Sequence, residues 1–337
     1  MIITGDSLQV LKMYPDGYFD SVVTDPPYGL KFMGHRWDCD VPSVELWAEC
    51  LRVLKPGGYL AAFAGTRTQH RMACRIEDAG FEIRDMIAWL YGSGFPKHRS
   101  ALKPALEPIT LARKPAPRAT LLRIEDCRVP AERATGWGGG GSALYDGGLS
   151  REQGAARPVD GRYPANLVHD GSPEVLALFP DSAGCGGSVP QTKVTGYGAT
   201  SEYLGGERTP FDSGSGSAAR FFYCCKASRT ERDAGLEGFA LQRCGGMQAT
   251  ADASMLTGAG NPRTTTRRNT HPTVKPIELM RWLARLITPE GGRLLDPFAG
   301  SGSTLCACQL EGIRGVGIEL DPHHAAIARA REAHYAK

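Results

Sequence analysis

Residues 24–29 combine a carboxylate, two prolines and an aromatic ring directly after the short apolar run 21–23. Two prolines cannot continue a central strand, so the segment is predicted to be a stiff loop at a strand end. The Asp25 carboxylate and the Pro26 carbonyl could accept both N–H bonds of an amine on an aromatic ring, and a planar base could stack on Tyr28. The alternative is a proline-rich turn with a capping aspartate.

A second candidate site lies where a predicted strand enters a glycine-bearing turn and a helix. Asp296 stands at the strand tip, Gly300 and Gly302 lie in the turn, and Glu319 ends the next predicted strand. Glycine lets the backbone approach a ligand, and a carboxylate at the second strand tip can accept hydrogen bonds from ribose hydroxyls. Because the third glycine of a nicotinamide fingerprint is missing, the pattern favours a nucleoside site over a dehydrogenase.

Alternating strands and helices are predicted to position both sites. The alternation covers residues 1 to about 115 and returns near residue 271, which predicts an α/β fold with a mainly parallel sheet. The two sites can act together only if folding brings residues 24–29, here called the Pro-Pro loop, alongside the turn that contains Gly300 and Gly302, here called the glycine turn. The two segments must then face each other across one cleft. The predicted strands are MIITG, DSVVTD, GGYLAAFAG, EIRDMIAWLYG, EPITLARK, GGRLLD and RGVGIELD.

The middle of the chain differs in composition. Glycine accounts for 19 of the 82 residues from 136 to 217, with little sustained periodicity, which indicates an insertion of loops and short elements. The predicted organisation is therefore a catalytic domain split between residues 1–115 and 263–337, with an inserted region at 116–262.

Charge and composition limit the class of protein. The net charge is only +3, but the stretch from Lys97 to Arg123 holds seven basic residues and one acid, Glu107. This run is interpreted either as a solvated basic face or as a phosphate-contacting surface. No apolar run is long enough for a membrane span, and no secretory signal is visible, so a cytoplasmic protein is expected. The ten cysteines lack a C-x-x-C pair, so free thiols are expected and no metal site is predicted.

Four motifs together resemble those of the amino-group DNA methyltransferases that use S-adenosylmethionine. DPPY at 25–28 resembles the catalytic motif, and DPFAGSGST at 296–304 resembles the cofactor-binding motif. HPTVKP at 271–276 is similar to the segment that closes over the methionine part of the cofactor, and GDSL at 5–8 to the segment whose Asp contacts its adenine. The order of the motifs resembles the circularly permuted β group, whose target recognition region occupies the place of residues 116–262.

The resemblance implies a Rossmann-like class I methyltransferase fold, with a mostly parallel seven-stranded sheet and helices on both faces. It implies that the target base is held by Asp25, Pro26, Pro27 and Tyr28. It implies that S-adenosyl-L-methionine is surrounded by Asp6, Thr273, Lys275, Asp296, Phe298, Gly300, Ser301, Gly302 and Glu319.

The function implied is site-specific methylation of the exocyclic N6 amine of adenine in double-stranded DNA, with the base flipped out of the helix. Asp at the first motif position is typical of N6-adenine enzymes, whereas Ser is typical of N4-cytosine enzymes. An N4-cytosine DNA methyltransferase and a noncatalytic DNA-binding protein that retains the fold stay open as alternatives. A homodimer and a companion restriction endonuclease also stay open.

Overall fold

A computed structural model describes most of the two ends of the chain and short parts of its middle. The described residues are 1–30, 38–94, 102–117, 120–130, 134–135, 158–159, 161–182, 216–225, 230–243 and 266–336.

The strands are β1 (Ile2–Thr4), β2 (Phe19–Thr24), β3 (Leu54–Phe63), β4 (Glu82–Leu90), β5 (Leu106–Arg113), β6 (Ala134–Thr135), β7 (Pro158–Val159), β8 (Leu167–His169), β9 (Asp181–Ser182), β10 (Gly216–Ser217), β11 (Tyr223–Cys224), β12 (Gln242–Arg243), β13 (Thr266–Arg267), β14 (Arg293–Asp296) and β15 (Arg314–Glu319). The α-helices are α1 (Ser7–Leu11), α2 (Val44–Val53), α3 (Gln69–Asp78), α4 (Pro173–Leu176), α5 (Ile277–Ile287), α6 (Ser303–Glu311) and α7 (Pro322–Tyr335). Short 3₁₀ turns cover Glu125–Cys127, Ala218–Phe221 and Thr230–Arg232.

The chain divides into two compact units. The first unit comprises Met1–Cys127, Asn166–Val175 and Cys224–Lys337, and it contains both motif regions. The second unit comprises Arg128–Ala165 and Leu176–Tyr223. The assignment of residues 116–262 to target recognition stays a prediction.

One mixed sheet has the strand order β1-β15-β14-β2-β3-β5-β4-β8-β11. The neighbours from β1 to β3 pair in parallel, and β5 runs antiparallel to both β3 and β4. All seven predicted strands are present and form the continuous stretch from β1 to β4. The predicted number of seven is nevertheless wrong, because β8 and β11 extend the sheet to nine strands in the described part of the chain. Both added strands are too short to show an apolar period in the sequence.

Helices cover both faces of this sheet. Consecutive residues of a strand point to opposite faces, and Val22 packs into the same buried cluster as Trp47 of α2. Its neighbour Ser21 forms a hydrogen bond of 2.7 Å with Thr288, the residue that caps the carboxyl end of α5. The layer of α1 to α3 therefore lies on one face, and the layer that includes α5 lies on the other.

The pairing of β14 with β2 positions the two motif regions. Leu294 lies opposite Ser21 and Leu295 opposite Val22, in parallel register. The chain continues from β14 to β15 on one side of this pair and from β2 to β3 on the other, so the two loops diverge. Such a switch point opens a crevice at the carboxyl ends of the strands.

Gly302 and Gly312 cap the two ends of α6 with positive φ angles of 79° and 65°. A Cβ at Gly302 would lie 2.9 Å from the Cβ of Ala328, whereas no described atom lies within 4 Å of a Cβ at Gly312. Position 302 therefore combines backbone strain with a steric clash, and position 312 has only the strain.

We predict that Gly312→Ala lowers the free energy of unfolding by about 1 kcal/mol and that Gly302→Ala lowers it by about 1–3 kcal/mol more. Urea unfolding of both variants beside the unaltered chain measures the difference. Equal losses at the two positions would contradict the packing assigned to Gly302.

Candidate active site

A cleft of about 1700 Å³ opens at the carboxyl ends of β2, β14 and β15. Its walls include every site residue predicted from the sequence except Gly302, which packs against α7 instead. The predicted residues that line the cleft are Asp6, Asp25, Pro26, Pro27, Tyr28, Thr273, Lys275, Asp296, Phe298, Gly300, Ser301 and Glu319. The two ends of the sequence thus share one cavity.

Glu319 fixes the glycine turn from the end of β15. Its carboxylate accepts hydrogen bonds from the backbone N–H of Gly300 at 2.8 Å and of Asp321 at 2.9 Å. Burial raises the pKa of Glu319. Since an ionised carboxylate has about four acceptor positions, Glu319 keeps acceptor capacity for donors in the cleft.

Asp296 is a buried carboxylate that joins β14 to β2. It accepts hydrogen bonds from the Thr24 hydroxyl at 2.7 Å, from the Thr304 hydroxyl and from the Phe298 N–H at 3.1 Å. Burial raises its pKa to about 6, against the three hydrogen bonds, which lower it. Asp296 therefore joins the loop after β14 to the base of the Pro-Pro loop.

Asp6 and Thr273 lie on the cleft wall with partners of their own. The Asp6 side chain caps α1 by accepting from the Gln9 N–H at 3.1 Å. The next residue, Ser7, donates its hydroxyl to the carbonyl of Pro297 and so ties α1 to the loop after β14. The backbone carbonyl of Thr273 lies 2.9 Å from Nδ1 of His271.

The Pro-Pro loop carries a compact charged cluster. Asp25 accepts from the Tyr28 hydroxyl at 2.7 Å and from Lys275 Nζ at 2.7 Å, and Lys275 also lies 3.2 Å from a Glu107 oxygen. Burial alone would lower the pKa of Lys275, but Asp25 and Glu107 outweigh it and raise the pKa. Lys275, predicted to lie near the methionine end of the cofactor, thus has its ammonium group on the Pro-Pro loop.

Asp38 holds the loop in shape. Its buried carboxylate accepts the backbone N–H groups of Tyr28 at 2.7 Å, Gly29 at 2.8 Å and Leu30 at 3.2 Å. From the other side the Thr68 hydroxyl donates to the Tyr28 carbonyl at 2.7 Å. These hydrogen bonds fix the backbone of Tyr28, from which its ring projects.

His271 supports the glycine turn. A Cβ at Gly300 would lie 2.8 Å from its Nε2, so the imidazole can reach this position only because the residue is glycine. The His324 ring meets the His271 ring edge-on, with centroids 4.7 Å apart. Burial, and then the charge of His324, lowers the pKa of His271 to about 3, so its ring is neutral at pH 7.

Three residues of the site were missed by sequence reasoning. His271 belongs to the quoted HPTVKP segment, so its presence in a motif was a usable signal. Glu107 appeared only as the single acid in a basic run, and Asp38 lies in a stretch without periodicity. Neither carried a signal that pointed to the Pro-Pro loop.

The basic run from Lys97 to Arg123 has mixed roles where the structure describes it. Lys103 lines the cleft. Arg113 pairs with Glu82 at 2.6 Å, Lys114 donates to the Leu54 carbonyl, and Arg123 pairs with Asp126. Lys97, Arg99 and Arg118 lie outside the described residues.

Within the described ranges, no helix is long and apolar enough to cross a membrane. The same ranges hold no group of three or more His, Cys, Asp or Glu side chains arranged to bind a metal ion.

Comparison with known proteins identifies the family. Residues 19–330 match the family model of N6 and N4 DNA methylases, and the chain belongs to this family. Type II methyltransferase M2.DpnII of Streptococcus pneumoniae is 41% identical over 61 residues, which are 18% of this chain and 23% of that protein. Type II methyltransferase M.HpaI of Haemophilus parainfluenzae is 28% identical over 137 residues, covering 38% of this chain and 43% of that protein.

These matches span less than half of each curated relative. Among solved structures, the cytosine-N4-specific PvuII DNA methyltransferase is similar with a TM-score of 0.51 and 15% identity, covering 98% of this chain and 85% of that one. At this identity the likeness shows the fold alone, and it agrees with the class I methyltransferase fold predicted from the sequence.

The raised pKa of Asp296 predicts a pH-dependent contribution to stability. The folded state binds this proton more tightly than the unfolded chain, whose Asp pKa is near its ordinary value, so stability from this group rises as the pH falls toward 5. Relative to Asp296→Asn, the unaltered chain should gain about 1 kcal/mol in unfolding free energy between pH 7 and pH 5. Urea unfolding at the two pH values measures this gain, and a constant or shrinking difference would contradict it.

Proposed function

We propose that this chain is a DNA methyltransferase that transfers a methyl group from S-adenosylmethionine to the N6 amine of adenine. One observation carries the proposal. Asp25 and the glycine turn at Gly300 line the same cleft, and the hydrogen bond from Thr24 to Asp296 joins their loops. A methyl donor and an amine acceptor can therefore meet there.

S-adenosylmethionine is the cofactor of this family, and the residues of the cleft fit it. Glu319 keeps acceptor positions for ribose hydroxyls, the turn at Gly300 exposes backbone, and Phe298 offers a partly buried ring. When bound, the cofactor supplies an electrophilic methyl group on a sulfonium.

Asp25 and the Pro26 carbonyl are proposed to accept the two N–H bonds of the target amine. These two acceptors would draw the nitrogen toward tetrahedral geometry and aim its lone pair into the cleft. Tyr28 would stack on the base, and Asp38 keeps the Tyr28 backbone in place. Since a paired base cannot reach this loop inside a duplex, the base must be extruded into the cleft.

The preference for adenine rests on the Asp at the first position of the catalytic motif. Cytosine N4 is the second candidate, because its exocyclic amine can meet the same two acceptors. We further propose that double-stranded DNA is the substrate and that residues 116–262, which include the second unit, recognise the target sequence.

The test uses the purified chain, methyl-labelled S-adenosylmethionine and unmethylated DNA, followed by digestion to nucleosides and mass spectrometry. Labelled N6-methyladenine is the expected product. Labelled N4-methylcytosine would instead identify cytosine as the target base. DNA binding without incorporation would support a noncatalytic protein.

Asp25→Ala should reduce methyl incorporation by about 100-fold or more, because the amine loses its charged acceptor, while cofactor binding stays largely intact. Single-turnover incorporation and calorimetric titration of the cofactor measure the two properties. Asp78→Ala, which removes an exposed carboxylate at the end of α3, is the matched control and should retain full activity. Substantial incorporation by Asp25→Ala would refute the role of Asp25.

A further inference from the structure

Glu107 is a charged residue of the cleft to which the proposed reaction gives no role. It is the second residue of β5 and lies opposite Trp89 of β4. Because β5 runs antiparallel to β3, its amino end lies at the edge where the parallel strands have their carboxyl ends. This reversal brings the single acid of the basic run into contact with the Pro-Pro loop.

The Tyr28 hydroxyl has one hydrogen and two carboxylate acceptors. Its oxygen lies 2.7 Å from Asp25 Oδ1 and 3.0 Å from Glu107 Oε2, so it can donate to either but not fully to both. Burial, followed by the charges of Asp25 and Glu107, raises the pKa of Tyr28 well above its usual range. The hydroxyl therefore stays protonated, and its single hydrogen can be donated to only one of the two carboxylates at a time.

Lys275 contacts the same two carboxylates and the Tyr28 hydroxyl. Its ammonium group lies 2.7 Å from Asp25, 3.2 Å from Glu107 and 3.2 Å from the Tyr28 hydroxyl oxygen, which accounts for its three N–H bonds. Its side chain is 7% exposed. In this arrangement each Asp25 oxygen already accepts one donor from within the protein.

A target amine that docks on Asp25 shares the carboxylate with those donors, and each of them weakens Asp25 as an acceptor for the amine. A neutral residue at position 107 would leave the Tyr28 hydroxyl with Asp25 as its one strong acceptor. With Glu107 present, the hydroxyl can move to the second carboxylate by rotating about its C–O bond, and no buried donor is left without a partner.

We propose that Glu107 is a positioning residue for methyl transfer, which takes over the Tyr28 hydroxyl hydrogen bond when the target amine docks on Asp25. The inference rests on the proposed function and deepens it. Glu107 then acts through Tyr28 and touches neither the base nor the cofactor, and most of its contribution is lost when the hydroxyl is removed.

A double-mutant cycle between Glu107→Gln and Tyr28→Phe tests the inference. Glu107→Gln should lower the single-turnover rate at saturating DNA and cofactor by about 10-fold, with the cofactor Kd unchanged. In the Tyr28→Phe background, which keeps the aromatic face, the same change should cost less than about 3-fold. Glu82→Gln, which removes a carboxylate that pairs with Arg113 away from the cleft, is the control and should keep the rate of the unaltered chain.

Folding of each variant is checked by its melting temperature, and Glu107→Ala, which also removes the carboxylate, replaces Glu107→Gln in the cycle if the latter does not fold. An equal penalty in both backgrounds, or no penalty in the unaltered background, would overturn the role of Glu107 while methylation by the unaltered chain upholds the proposed function. Failure of the unaltered chain to methylate any DNA would overturn both.

Discussion

The parallel pairing of β14 with β2 is the constraint on which the site depends. These strands lie more than 270 residues apart in sequence, yet Leu295 and Val22 are direct neighbours in the sheet. Because both strands point the same way, Asp296 and Thr24 reach the same edge, where their side chains form a buried hydrogen bond of 2.7 Å. Any slip in this register would move the loop that carries Asp25 away from the glycine turn.

Buried charge is arranged differently on the two sides of the cleft. Asp296 has only neutral donors around it, and burial raises its pKa to about 6, so it serves to join loops. Asp25 instead shares Lys275 with Glu107, and this cluster keeps a net negative charge. A buried carboxylate that accepts an amine needs a partner such as Lys275, because an unpaired buried charge is costly. A carboxylate whose acceptor positions are all occupied could not bind the amine.

The strands and most of the cleft residues could be predicted from the sequence because local patterns of residues determine them. Apolar runs identified the seven strands from β1 to β4, and the Pro-Pro and glycine motifs identified most of the cleft wall. Side-chain partnerships across the fold carry no such local pattern, so the contacts of Asp38, Glu107 and Lys275 were not predicted. Local propensity also misplaced one boundary, since β3 begins at Leu54, before Gly57, where the predicted strand begins.

Affinity for a bisubstrate compound tests the shared cleft most directly. In such a compound, the N6 atom of adenine is linked to an adenosine-methionine moiety at the position of the transferable methyl group. The account predicts that it binds more tightly than either half alone by at least about 100-fold, because the second half binds at high effective concentration. It also predicts that Asp25→Ala removes most of this gain. Binding no tighter than that of the cofactor half would contradict a single cleft for donor and acceptor.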